Sequence, residues 1–221
     1  DGYYNKDKTQ FFFYINDTLK NHLKKIINKY FEKDFSKISK FFNSNIYLCQ
    51  TVISKIYSFE KVCPKNESFS ENFHNDRWLS NHFKVFVLLE DVNHENGPTI
   101  FIKKNETRKF GAKMNYKSRS NYNFFENYEN QISNCGLKGE TKFVDTTQVL
   151  HRASVPIKNR TRLMMIFSFA MLPNSEKDIF YFENEKLGSI WDTQNYKPIN
   201  YLAKPIGLKK LFKIYNGILN L

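Results

Sequence analysis

The chain has 221 residues, a formal charge of +12, 17% aromatic and 41% hydrophobic residues, and only 8 Gly and 6 Pro. That length suits one ordinary domain able to bury a core without disulfides or a structural metal. The 22 Phe, 13 Tyr and 2 Trp supply too much apolar area for a disordered, collagenous or low-complexity chain.

Cys49, Cys63 and Cys135 are odd in number and scattered, with no Cys-x-x-Cys, which argues against a disulfide framework or a thiolate zinc site. Free thiols fit a reducing, cytoplasmic compartment. No apolar run reaches the length of a bilayer span, and the segment from Asp1 carries no signal-peptide pattern. The positive surplus would suit an anionic partner. Lys outnumbers Arg 28 to 6, however, and this argues against a nucleic-acid reader, because base recognition and bidentate phosphate clamps favour Arg.

In chain order, Phe11 to Ile15 reads as a short strand, and Asp17 is placed to cap a helix running to about Phe31. Leu19, Leu23, Ile26, Ile27 and Tyr30 form its apolar face, opposite Lys20, Lys24, Lys25 and Lys29. A second helical stretch is expected from about Phe35 to Tyr57, broken near Asn43 to Asn45. The run Val85-Phe86-Val87-Leu88-Leu89 predicts a buried strand within His82 to Val92, and Asn96-Gly97-Pro98 predicts a turn returning as a hairpin strand over Thr99 to Lys103. Residues 104–135 read as a long loop or lid. Strands follow over Glu140 to Val144, Gln148 to His151 and Arg160 to Leu172. Both faces of the last are apolar, so it should be covered on two sides. Lys204 to Leu221 is a basic amphipathic tail, read as docking on the domain or on a second subunit in preference to resting on an anionic membrane surface. Helices followed by several short, turn-punctuated strands fit a β-sandwich or jelly roll with helices outside.

The chemistry centres on Phe73-His74-Asn75-Asp76-Arg77-Trp78. In extended backbone, residues two apart share a face, so His74 and Asp76 can aim an imidazole nitrogen and a carboxylate oxygen at one point. His151, at the end of a later strand, offers a third ligand. Two His and one carboxylate leave open positions on a metal, as in non-haem Fe(II) oxygenases. The plainer account of these histidines is that they are satisfied polar residues at strand ends. Arg162 lies eleven residues beyond His151 inside the most apolar strand, where a guanidinium needs an anion, and a dicarboxylate would fit it in bidentate geometry.

His74-x-Asp76, the strand and Asn96-Gly97-Pro98 turn after it, His151 and Arg162 together resemble the phytanoyl-CoA dioxygenase family of Fe(II)- and 2-oxoglutarate-dependent oxygenases, over about residues 70–172. The resemblance implies a mainly β fold with flanking α-helices. That fold is a double-stranded β-helix (jelly roll, cupin-like) with the N-terminal helices packed on one sheet. Length and organisation point to a single oxygenase domain over 1–221, with a helical part (1–60), a catalytic core (70–172) that carries the resemblance, and a C-terminal extension with an amphipathic helix (173–221). Carried to matching positions, His74, Asp76 and His151 would bind Fe(II), Arg162 would hold the distal carboxylate of 2-oxoglutarate, and Phe86 would stand against that cosubstrate. O2 would be the second cosubstrate. Trp78 and Arg160 are candidates for the substrate wall, and Asp76 argues for hydroxylation, because halogenating relatives lack the carboxylate. Ala153 departs from the pattern: the family often has a Ser or Thr there touching 2-oxoglutarate, with Ser154 as the replacement. The expected substrate is a small anionic, lipid-, sugar- or amino-acid-like molecule, with release of succinate and CO2. The alternative is a non-catalytic jelly roll binding nucleic acid or a membrane through Lys-rich faces.

Overall fold

The structure, a computed structural model, describes residues 1–59, 70–76, 82–107 and 131–173. The expected loop over 104–135 lies mostly outside these residues, and Trp78 and the tail from Lys204 lie wholly outside them. The chain forms two compact units. The first comprises 1–14, 52–78 and 82–167, and the second 15–51, 79–81 and 168–221.

The first unit is built of antiparallel strands: β1 (Gly2–Tyr4), β2 (Gln10–Phe13), β3 (Ser44–Tyr57, from Val52 onward), β4 (His82–Leu88), β5 (Thr99–Ile102), β6 (Gln131–Ser133), β7 (Thr141–Val144), β8 (His151–Ala153) and β9 (Thr161–Pro173, up to Phe167). One sheet has the order β1-β2-β3-β9-β4-β7 and the other β6-β5-β8. Residues 70–76 lie alongside β8: Ala153 N donates to Ser70 O at 2.7 Å, and His74 and His151 form an antiparallel bridge. From β3 onward the chain thus alternates between sheets, with β4 in the first, β5 and β6 in the second, β7 in the first, β8 in the second and β9 in the first. That winding is a double-stranded β-helix, as expected. The expected hairpin is corrected, because β4 pairs with β7 whereas β5 pairs with β6 and β8. The Asn96-Gly97-Pro98 break carries the chain across to the opposite sheet. Phe86, Leu88, Val92, Phe101 and Met164 form a buried cluster from both sheets.

In the second unit, α1 (Asp17–Ile26) continues through a π-helical turn (Ile27–Phe31) into α2 (Glu32–Phe42). Asn16, rather than Asp17, caps α1: its Oδ1 accepts from Leu19 N at 2.9 Å, and Asp17 sits in the first turn, where a negative charge favours the helix dipole. The buried stripe is Leu23, Ile27 and Phe31, while Tyr30 is 62% exposed. The wider π turn shifts the helical phase by one residue, which is why Phe31 replaces the expected Tyr30. Phe35 packs edge-on against Phe169 at 4.7 Å, so within this unit α2 lies on the end of β9.

The helix expected beyond Asn45 is a strand. Asn43 adopts the left-handed conformation (φ 46°) that ends α2, and the chain leaves as the 14-residue β3. Thr51, Val52, Ile53 and Ile56 are β-branched and favour extended backbone once a sheet accepts them. No described helix is long and apolar enough to cross a membrane.

Candidate metal centre

The site is set by a short ladder between residues 70–76 and the start of β8. His74 N donates to His151 O at 3.0 Å and His151 N returns a bond to His74 O at 2.8 Å, while Asp76 N donates to Thr146 O at 2.9 Å. Residues paired in this way face each other, and the two imidazole centroids are 4.3 Å apart. Alternation places Asp76 on the side of His74. One ligand atom from each of His74, Asp76 and His151 lies within 4.8 Å of the others. Adjacent ligands on one ion with bonds near 2.1 Å sit about 3 Å apart, so small side-chain rotations close the sphere.

Both histidines are set in one tautomer. His74 Nδ1 is 2.8 Å from Asn72 O and His151 Nδ1 is 3.0 Å from Val149 O. A carbonyl only accepts, so each Nδ1 donates its proton there, which leaves Nε2 as the ring nitrogen turned toward a metal. Burial pushes the His151 base down to about 3, with Asp76 opposing and His74 and Lys84 adding, so the ring is neutral at ordinary pH. For Asp76, burial would raise the carboxyl. The positive charge of Lys84, 2.7 Å away, outweighs it and, with the His151 ring adding, holds the group well below the usual carboxylate range.

Lys84 was not anticipated. Its Nζ is 2.7 Å from Asp76 Oδ2. Its signal in the sequence was parity: His82, Lys84, Phe86 and Leu88 alternate onto one face of β4, and a cation on the inward face of an apolar strand needs an anion opposite it. His82, buried on the same face, is pushed to about 3 by burial, Lys84 adding and Asp76 opposing.

Arg162, on β9, is 1% exposed. Among the described residues its Nη1 reaches the Ser154 carbonyl at 3.5 Å, and its Nε has no hydrogen-bond partner. Burial lowers its pKa to about 10, partly offset by Glu90. The surrounding backbone is pinned, because Leu163 N donates to Glu90 Oε1 at 2.7 Å and Asn96 Nδ2 donates to Thr161 O at 2.8 Å. A fixed guanidinium with unfilled donors suits a bidentate anion. Ala153 has no side-chain donor, and Ser154 contributes its carbonyl to Arg162. Phe86 is buried and meets Phe101 edge-on at 5.2 Å, and Phe101 lies 6.3 Å from the His151 ring. Arg160 is half-exposed and paired with Glu95 at 2.8 Å.

No protein-family model matches the chain, and no curated protein does. Among solved structures, the chain is similar to the non-heme alpha-ketoglutarate-dependent epimerase SnoN from nogalamycin biosynthesis (13% identity, 78% of this chain and 66% of that one, TM-score 0.48). SnoN in complex with Fe3+, alpha-ketoglutarate and nogalamycin RO gives 11% identity, 85% and 76% coverage and a TM-score of 0.49. HygX from Streptomyces hygroscopicus, with nickel and 2-oxoglutarate bound, gives 9% identity, 81% and 78% coverage and a TM-score of 0.47.

Proposed function

We propose that the chain is an Fe(II)- and 2-oxoglutarate-dependent dioxygenase of the phytanoyl-CoA dioxygenase type, hydroxylating a small anionic, lipid-, sugar- or amino-acid-like molecule. The observation that carries this reading is the meeting of His74, Asp76 and His151, with each imidazole Nδ1 tied to a backbone carbonyl, in a chain whose buried Arg162 keeps an unfilled donor. The donor set is two imidazoles and one carboxylate, which suits Fe(II) and leaves positions open. The iron would supply the oxidative decarboxylation of 2-oxoglutarate to succinate and CO2, coupled to insertion of one oxygen atom of O2 into a C–H bond.

The side chains would divide the work. His74, Asp76 and His151 hold the ion on one face, their orientation set by the Asn72, Val149 and Thr146 carbonyls. Arg162 holds the distal carboxylate of the cosubstrate, and Phe86 with Phe101 closes the apolar wall behind His151, which keeps water out. Trp78 and Arg160 are proposed for the substrate side. The scattered cysteines, including the free Cys135, suit a reducing cytoplasmic compartment.

Anaerobic titration with Fe(II), followed by aerobic incubation with 2-oxoglutarate, tests the reading. We expect one ion per chain, slow succinate release without substrate, and loss of both in His151→Ala. Failure to bind Fe(II) or to form succinate would leave a non-catalytic jelly roll.

A further inference from the structure

The ion pair between Lys84 and Asp76 has no role in the chemistry above. It is enclosed, with side-chain exposures of 18% and 11%. On β4 it lies among the buried Phe83, Val85, Phe86 and Leu88. The oxygen it engages, Asp76 Oδ2, is also the one that His151 Nε2 approaches at 3.9 Å, so the ammonium sits on the carboxylate atom turned toward the triad. A divalent ion bound by Asp76 and His151 would need those lone pairs and would place two positive charges within a few ångströms of a third. In a poorly solvated site that repulsion is large.

We propose that Lys84 is a positioning residue that serves as the counter-ion of Asp76 and competes with the metal for it, an inference that rests on the metal-centre reading. The ammonium holds the carboxylate oriented into the site, and metal binding moves Nζ off Oδ2. Lys84 therefore lowers the affinity of the centre for any divalent ion while keeping it ready to load. A residue that only supported the fold would have the opposite signature, because removing it would weaken binding.

The test is Mn(II) affinity, read from the electron paramagnetic resonance signal of the free ion, in the chelator-stripped full chain and its variants. Lys84→Met and Lys84→Gln should each bind Mn(II) roughly tenfold tighter or more. Lys84→Arg should stay near the parent, and His151→Ala should lose binding. Equal or weaker binding by Lys84→Met and Lys84→Gln, with His151→Ala still defective, overturns the inference and leaves the metal centre standing. No Mn(II) binding by the parent overturns both. Should neither neutral variant fold, the acetylation rate of Lys84 in the parent decides: added Mn(II) should raise it several-fold, and an unchanged rate overturns the competition.

Discussion

Replacing Arg162 with Met separates a structural arginine from a ligand-holding one. The side chain is 1% exposed, keeps one weak 3.5 Å contact to Ser154 O and leaves Nε unpartnered. Burial lowers its pKa to about 10 against the pull of Glu90, so the charged form carries a net cost of roughly 3 kcal/mol at neutral pH. Met has a similar volume and no charge, so it removes that cost and gives up only the weak contact. We expect the ligand-free variant to be more stable by about 1–3 kcal/mol, a rise in Tm of roughly 2–4 °C per kcal/mol for a chain of this size. The cosubstrate should lose a charge-paired partner worth about 2–5 kcal/mol, or about 30- to 5,000-fold in Kd. Thermal melts without ligand and calorimetric titration with 2-oxoglutarate measure the two effects. Destabilisation beyond about 2 kcal/mol with an unchanged Kd would refute the reasoning, because it would mean that the guanidinium is satisfied within the protein.

Acid should unfold the metal-free protein early. The folded bases of His82 and His151 lie near 3 against 6.5, so the unfolded chain takes up more protons between those values. Stability is then full above about pH 6.5 and falls by up to about 2.7 kcal/mol per pH unit as pH drops toward 3; urea melts from pH 7 to pH 4 measure the slope, and His82→Asn should roughly halve it. Gly97→Ala should destabilise by about 2 kcal/mol or more in the same assay. Gly97 has φ +64°, and an added Cβ would lie 2.4 Å from Pro156 N and 2.5 Å from Val155 C, both backbone atoms that cannot swing aside. Phe86→Ala, which empties a buried site against Phe101, should cost about 3–5 kcal/mol by chemical denaturation. Asp76→Asn should abolish Mn(II) binding and also lower Tm, because Lys84 loses its counter-charge.

What the residues determined by themselves is what local pattern can carry. The continuous apolar runs over 85–89 and 163–167 were short and rich in strand formers, and β4, ending at Leu88, and β9 lie there. The period-two parity of His74 and Asp76 placed them on one side of the chain whatever they paired with. Arg162 in an apolar strand required an anion wherever that strand packed. The tertiary structure decided the rest, because it depends on partners far away in the chain. Residues 44–57 carry enough Ile, Leu and Tyr to satisfy a helical stripe, and they became β3 because neighbouring strands accept them, β9 on one side and β2 on the other with Phe11 against Lys55 and Phe12 against Ser54. Gly97 promised a tight reversal, but the paired edges were β7 for β4 and β8 for β5, so the chain crossed between sheets instead of folding back. His74 meets His151 through a two-bond bridge spanning 77 residues of sequence, and Lys84 reaches Asp76 from the neighbouring sheet. A strand exposes unpaired backbone donors and acceptors that any other strand can satisfy, so its choice of partner is settled by the burial of whole faces and not by its own residues.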